Sequence, residues 1–308
     1  MKSSRIDFKG RVAIVTGAGN GLGRQHALAL AARGAKVLVN DLGSARDGSG
    51  GSVSAAQAVV DEIRAAGGEA LANGASVTDF EAVQAMVQQA VDAWGRVDIL
   101  VNNAGILRDK SFAKMELADF RLVLDVHLMG AVHCTKAVWP IMNAQKYGRI
   151  VMTTSSSGLY GNFGQSNYGA AKLALVGLMQ TLCIEGAKND IRVNCLAPTA
   201  ATRMTEDLMS GELLDALRPE AVVPAMLVLA AEHAPSRTIL CAGAGSFEAA
   251  HITLTHGIWL GTDSDTPEQL LTRLAEVSDR QGETVPEAGN AQTRIEVERA
   301  LAHAAVRA

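Results

Sequence analysis

The chain has 308 residues, 48% of them apolar, and a formal net charge of −4. This composition favours a globular protein with a large core and gives no support to nucleic-acid binding. The four cysteines lie far apart and no histidine stands at metal-ligand spacing, so we expect free thiols and no bound metal. We also expect no signal peptide, no membrane span and no peroxisomal tripeptide, and hence a cytoplasmic protein without membrane contact.

Strand-like and helix-like segments alternate through the first three quarters of the chain. Short apolar runs predict seven strands, at residues 12–15, 36–40, 69–72, 97–101, 147–152, 191–196 and 238–241. Such an alternation predicts one α/β domain with a doubly wound parallel sheet, which we assign to residues 1–256. Residues 257–308 are more polar, and two helical patterns there predict a C-terminal helical extension.

A glycine-rich turn directly follows the first predicted strand. Residues 16–23 read TGAGNGLG and precede a helical pattern, which is the context of a phosphate-binding loop. Gly17 would allow the sharp turn, Gly21 the approach of a pyrophosphate, and Gly23 close packing of helix on strand. The spacing is GxxxGxG, not GxGxxG, and taken alone it is equally consistent with a simple tight turn.

Asp41 stands at the end of the second predicted strand, about 20 residues beyond the glycine loop. An acid there can accept both ribose hydroxyls of NAD and would repel the 2′-phosphate of NADP. Positions 20 and 42 are Asn and Leu, so no basic residue is placed to hold that phosphate. The pattern favours NAD; the alternative is an acid that only caps a turn. Residues 42–52 are rich in Gly and Ser and predict a flexible loop at the adenosine end.

Tyr168 and Lys172 are four residues apart, with Ser155 thirteen residues upstream. On a helix, that spacing places the phenol and the ammonium on one face. A neighbouring cation stabilises phenolate, so we expect Lys172 to lower the pKa of Tyr168 and make it a proton acceptor near neutral pH. Ser155 follows a predicted strand and could orient an alcohol. By itself, such a pair is more often an exposed tyrosine beside a solvated lysine.

Together these motifs resemble the short-chain dehydrogenase/reductase family. The resemblance rests on TGAGNGLG at 16–23, NNAG at 102–105, Ser155 with YGAAK at 168–172, and the Pro198 segment, and covers about residues 10–245. It implies a single Rossmann-type domain that moves hydride between a nicotinamide and a carbinol carbon. It also implies a homodimer or homotetramer.

Longer stretches resemble one branch of that family, the (3R)-hydroxyacyl-CoA dehydrogenases of type 2 multifunctional enzymes. They are NDLGSARDGSGGS, NNAGILRDKSFAKM, QKYGRIVMTTSSSGLYGNFGQSNYGAAK and APTAATRM. The branch implies NAD-dependent oxidation of a (3R)-hydroxyacyl-CoA to a 3-ketoacyl-CoA. A 17β-hydroxysteroid substrate is the alternative. A non-catalytic dinucleotide sensor is a second alternative, which the intact Ser155, Tyr168 and Lys172 disfavour.

The resemblance implies a role for each matching residue. Tyr168 would be the general base, Lys172 its activator, and Ser155 the anchor of the substrate hydroxyl. Cofactor contacts are implied at Gly17, Asn20, Gly21, Leu22, Gly23, Asp41, Ser76, Val77, Asn103, Ala104, Gly105, Tyr168, Lys172, Pro198, Ala200 and Thr202.

His127 departs from the family pattern, in which many members have an asparagine that holds a relay water. It lies in a long helical pattern at residues 116–143, which we expect to break only near Pro140. His127 could keep the proton relay, and its imidazole could titrate. The alternative is a histidine that is simply packed in the helix.

Overall fold

The structure, a computed structural model, describes residues 5–45, 47–201 and 211–307. These residues form two compact units, which divide after Ala249. The predicted domain boundary lay seven residues later, at 256. The described residues contain one sheet, with strands β1 Val12–Thr16, β2 Lys36–Asn40, β3 Ala70–Asn73, β4 Ile99–Asn102, β5 Gly148–Thr153, β6 Ile191–Thr199, β7 Ile239–Gly243 and β8 Ser246–Ala250.

The strand order is β3-β2-β1-β4-β5-β6-β7-β8, and the pairs from β3 to β7 are parallel. The residues of β1, β4 and β5 are all buried, as expected for strands covered on both faces. The chain reverses its winding direction beside β1, so the carboxyl ends of β1 and β4 border a crevice. Ligands of open α/β sheets bind in such a crevice. The predicted fold class is therefore confirmed.

The eighth strand was not predicted. A two-residue turn, Ala244 and Gly245, joins β7 to β8 with φ angles of 50° and 82°. Two positive φ angles are typical of a tight hairpin turn, so β8 runs antiparallel and the sheet is mixed. β8 lies at the edge of the sheet and most of its residues are exposed, so its sequence lacks the apolar run that identifies a buried strand.

Helices pack on both faces of the sheet. In the first unit they are α1 Gly21–Ala31, α2 Ser54–Ala65, α3 Phe80–Trp94, α4 Leu117–Leu124, α5 Gly130–Gln145, α6 Ser156–Tyr160, α7 Ser166–Gly186, α8 Gly211–Ala216 and α9 Val223–Ala230. The first face carries α1, α2 and α9, and the second carries α3, α5 and α7. The two faces of the sheet are thereby shielded from solvent, which explains its continuous apolar strands.

The predicted break near Pro140 was wrong, because α5 continues through this proline to Gln145. The irregularity lies earlier, where a π-helical turn, Asp125–Met129, joins α4 to α5. A proline removes one helical hydrogen bond, and the packing of α5 against β4, β5 and α3 is sufficient to maintain the helix. Turns of π type are frequent at functional sites.

Among the described residues, one helical stretch, Ser166–Asn189, is apolar and long enough to cross a bilayer by composition alone. It contains α7, which packs against β5, β6 and α4 and buries eight residues. Buried positions include the polar Asn167 and Lys172. These contacts are those of a core helix in an α/β domain.

The second unit contains α10 Thr266–Thr272, α11 Leu274–Val277 and α12 Asn290–Arg307, near the two predicted helical stretches. Leu254 and Thr284 form an antiparallel bridge, and the rings of Trp259 and His303 stack with their centroids 4.0 Å apart.

Candidate active site

The glycine loop between β1 and α1 leaves no room for side chains at two of its predicted positions. Gly17 has a φ of +61°, and a Cβ there would lie 2.7 Å from Ala104 Cα. A Cβ on Gly23 would lie 2.2 Å from the Gly17 carbonyl oxygen. The first glycine therefore lets the loop turn beside the end of β4, and the other lets α1 start against that turn.

Thr16 and Asn103 connect this loop to β4. The Asn103 side-chain nitrogen donates to the carbonyls of Thr16, at 3.0 Å, and Gly17, at 2.9 Å. The buried Thr16 hydroxyl accepts from the amides of Asn103 and Ala104. Asn103 thus holds the loop, and it also lines the pocket, where the resemblance implies a cofactor contact. Thr16 was not predicted; the available signal was a hydroxyl residue ending a buried strand directly before a glycine.

Asp41 follows β2 and lies against the glycine loop. Its two carboxylate oxygens accept from the amides of Gly19, at 2.7 Å, and Gly43, at 2.6 Å. The acid therefore shapes two turns, as the structural alternative proposed. Each carboxylate oxygen has a second lone pair, so the same group retains acceptor capacity toward a ribose.

A pocket of about 600 Å3 lies along the carboxyl edge of the sheet. This volume is typical of clefts that hold a cofactor or a drug-sized ligand. It brings together sixteen of the predicted residues: Gly17, Asn20, Gly21, Leu22, Asp41, Ser76, Val77, Asn103, Ala104, Gly105, His127, Ser155, Tyr168, Lys172, Pro198 and Ala200. Gly23 lies under the loop and does not line the pocket. Thr202 lies outside the described residues.

The pocket fits a nicotinamide dinucleotide. One end has a glycine cradle at the N-terminus of α1, where backbone amides and the helix dipole favour a pyrophosphate. Asp41 borders the pocket close to this cradle, and Ser155, Tyr168 and Lys172 border its catalytic end. Phosphate, ribose and reacting carbon can therefore each meet a suitable group within one pocket.

Ser155 and Tyr168 both line this pocket, and the Ser155 hydroxyl lies close enough to the Tyr168 phenol to lower its pKa. Ser155 is buried and caps α6, where its hydroxyl accepts from the Ser157 amide at 3.2 Å. Tyr168 lies in the first turn of α7, and its amide donates to the side chain of Asn167. A strand end and a helix start thus bring the two hydroxyls together across thirteen residues of chain.

The pKa of Tyr168 is raised, because burial disfavours the phenolate, and the Ser155 hydrogen bond offsets only part of this effect. That direction is opposite to the one expected from the Tyr168–Lys172 spacing. The Lys172 ammonium lies 5.5 Å from the tyrosine ring centroid and donates to the Thr153 carbonyl at 2.5 Å. Burial lowers the pKa of Lys172 to about 7, so part of the population is uncharged at neutral pH.

His127 is buried on the π-helical turn, and its ring meets that of Tyr168 edge to face at 5.2 Å. Its Nε2 lies 2.8 Å from the Ile106 carbonyl oxygen and 3.1 Å from the Ile106 amide nitrogen, and the tautomer decides which bond forms. Burial and the Lys172 charge hold its pKa well below the usual value, so the imidazole is neutral. The predicted titration of this ring near physiological pH is therefore wrong.

A second cavity of about 10 Å3, with room for one water, lies behind the catalytic residues. His127, Asn102 and Lys172 contribute to its wall. His127 Nδ1 and Asn102 Oδ1 are buried, and neither has a hydrogen-bond partner within the described part of the chain. The cavity wall is mostly apolar, and these two polar side chains and Lys172 are groups that could hold a water there.

Comparison with known proteins also indicates a dehydrogenase. The family model described as short chain dehydrogenase matches residues 11–213. Peroxisomal multifunctional enzyme type 2 of Drosophila melanogaster is 50% identical over 264 residues, which are 85% of this chain and 44% of the fly enzyme. The chain therefore spans less than half the length of that relative.

Two solved structures are also similar. A short chain dehydrogenase from Mycobacterium avium has a TM-score of 0.77 and 40% identity, over 89% of this chain and 96% of that one. A 7α-hydroxysteroid dehydrogenase, solved with NADH and 7-oxo glycochenodeoxycholic acid, has a TM-score of 0.70 and 31% identity. That match covers 78% of this chain and 95% of the other.

Proposed function

Because the chain belongs to the short chain dehydrogenase family, we propose that it oxidises a (3R)-hydroxyacyl-CoA to a 3-ketoacyl-CoA with NAD. Membership makes it an oxidoreductase that acts on CH–OH groups with a nicotinamide dinucleotide. The observation that carries the proposal is that Ser155, Tyr168 and Lys172 line the same pocket as the glycine loop. The substrate class rests on the resemblance to the type 2 multifunctional branch.

In this mechanism the residues of the chain orient the alcohol and move its proton. Ser155 holds the substrate hydroxyl, and Tyr168 accepts its proton as the carbonyl forms. When bound, NAD supplies the acceptor for the hydride that leaves the carbinol carbon. Tyr168 must first lose its own proton to act as the base, and a protonated Lys172 stabilises the phenolate that remains. The low pKa of Lys172 lets it pass a proton onward near neutral pH.

We assign His127 and Asn102 to the outer end of this proton path. The side chains of His127, Asn102 and Lys172 line the same small cavity, and a water there could bridge the orphaned His127 Nδ1 and Asn102 Oδ1. A neutral imidazole takes part by hydrogen bonding and adds no second charge beside the lysine.

NAD is proposed over NADP because the Asp41 carboxylate borders the pocket, where it accepts two backbone amides. A 2′-phosphate near that carboxylate would meet like charge.

The test is NADH formation by the wild type and Tyr168→Phe with a panel of (3R)- and (3S)-hydroxyacyl-CoA thioesters and free 17β-estradiol. We expect turnover of the (3R) thioesters, and a loss of about 10²- to 10⁴-fold in the variant, because its proton acceptor is gone. Binding of NADH should change little. Tyr160→Phe is the matched control, since Tyr160 is exposed and does not line the pocket. Full turnover by Tyr168→Phe would refute the mechanism.

A hydroxysteroid is the second candidate substrate, favoured by the similarity to the 7α-hydroxysteroid dehydrogenase. Oxidation of the free steroid alone would establish it. A dinucleotide sensor would bind NADH and turn over nothing in the panel.

We also propose a homodimer or homotetramer. Leu173 and Ile184, eleven residues apart and so on one face of α7, are 45% and 53% exposed, and an exposed apolar face suits a contact between copies of the chain. Sedimentation velocity would distinguish these assemblies from a monomer. A cytoplasmic location remains a prediction, to be tested by cell fractionation.

A further inference from the structure

Arg108 joins two segments that both contribute residues to the pocket wall. Its Nε donates to the Asp47 carbonyl at 2.9 Å. Its Nη1 pairs with the Asp119 carboxylate on α4 at 2.7 Å. The Arg108 side chain is 31% exposed and that of Asp119 is 16% exposed, so solvent screens this pair less than an open surface pair. A single guanidinium therefore connects α4 to the segment that follows Asp41.

That segment, of which the structure describes residues 42–45 and 47–52, forms part of the pocket wall through Leu42, Ser44, Ala45 and Gly48. It is rich in glycine and serine, so ordering it costs more backbone entropy than ordering most loops of this length. Gly48 packs on the buried Ile106, where an added Cβ would lie 3.3 Å from Ile106 Cγ2. Besides that packing, the Arg108 bond to Asp47 ties the segment to the chain that follows β4.

The backbone of Arg108 makes a separate connection to the catalytic helix. Its carbonyl accepts from the Asn167 side chain at 3.0 Å. The Asn167 side-chain oxygen accepts in turn from the Tyr168 amide at 2.7 Å. Asn167 is fully buried, which makes this route rigid. The Arg108 guanidinium thus binds segment 42–52, while the Arg108 carbonyl holds Asn167, which in turn holds the backbone of Tyr168.

We propose that Arg108 is a positioning residue that fastens segment 42–52 over the dinucleotide pocket; the inference rests on the proposed function for the identity of that dinucleotide. Loss of the guanidinium frees the segment, and cofactor binding must then supply the ordering entropy. The Asn167 bond uses the backbone, so it survives replacement of the side chain. Affinity for the cofactor and the rate of the chemical step are therefore separable.

The experiment compares wild type, Arg108→Met and Arg108→Lys by fluorescence titration with NADH and by hydrogen–deuterium exchange of residues 47–52. We expect the Kd of NADH to rise about tenfold in Arg108→Met and less in Arg108→Lys, whose single ammonium keeps only one of the two bonds. Exchange of residues 47–52 should be faster in both variants, whereas kcat at saturating NAD should stay within about threefold of wild type. Arg121→Met, an exposed arginine of the same helix as Asp119, should match wild type.

An unchanged Kd would overturn the inference, and so would a lower kcat or melting temperature without a change in Kd. Because the titration contains no alcohol, its result does not depend on the substrate. A wild type that binds NADH but oxidises no thioester would refute the substrate proposal and leave the result for Arg108 intact.

Discussion

Lys172 lies in the candidate active site, and the burial of its amine destabilises the folded protein. Its side chain is 3% exposed, and its ammonium donates to the Thr153 carbonyl. Burial lowers its pKa from 10.5 to about 7, so the folded protein favours the neutral amine. Between these two values the unfolded chain binds more protons than the folded one, and stability therefore rises with pH across this window.

Lys172→Met should accordingly stabilise the protein in the absence of cofactor while it removes activity. The gain should reach up to about 5 kcal/mol near pH 6, before the lost hydrogen bond is counted, and nearly vanish above about pH 10. Urea unfolding at both pH values measures it. Lys188→Met, at an exposed lysine, should change little at either pH. An equal effect of Lys172→Met at both pH values would contradict the assigned burial cost.

Asp41 is the residue on which the choice of dinucleotide depends. Asp41→Ala should lower the ratio of kcat/KM for NAD to that for NADP by about tenfold or more, because a repulsive charge and a ribose acceptor are both lost. Steady-state kinetics with both cofactors provide the ratio. Asp61→Ala, which removes an exposed acid on α2, should leave it unchanged. A constant ratio in Asp41→Ala would make Asp41 a turn-forming acid alone.

At the scale of elements, the π-helical turn between α4 and α5 explains how a helical histidine enters the site. The turn carries His127, whose ring packs directly on Gly105 at the end of the β4 loop. A Cβ at Gly105 would lie 2.3 Å from His127 Cε1. The position of the ring therefore requires a residue without a side chain at position 105.

Gly105→Ala should therefore displace the imidazole and lower kcat/KM about 10- to 100-fold, with a destabilisation of about 1–3 kcal/mol from overpacking. Adding His127→Ala to this variant makes room for the methyl group. We expect the double variant to regain stability, measured by thermal unfolding, without regaining activity. Recovery of activity in the double variant would show that the His127 ring contributes only packing and takes no part in catalysis.

At the scale of the whole molecule, the topology of the sheet brings the residues of the site together. Thr16, Asp41, Asn103 and Lys172 are spread over more than 150 positions of the chain, yet all lie at the carboxyl edge of one sheet. Parallel strands place their ends on the same side, and the reversal of winding beside β1 opens the crevice between them.

Much of this could be predicted from the linear order of residues. Strand positions, the glycine loop and the catalytic trio depend on local rules: β-branched runs, glycines where backbone must approach, and a four-residue helical spacing. These rules need no knowledge of distant neighbours, and sixteen predicted residues border one pocket.

The remaining features arise from contacts between distant parts of the chain. The burial that raises the Tyr168 pKa and lowers that of Lys172 depends on every element packed around them. Other features also depend on neighbours far along the sequence. They are the exposed edge strand β8, the continuation of α5 through Pro140, and the hydrogen bond from Arg108 to Asp47. Desolvation and packing are properties of the folded surroundings, so spacing along the chain could place these groups but could not assign their charge state or their partners.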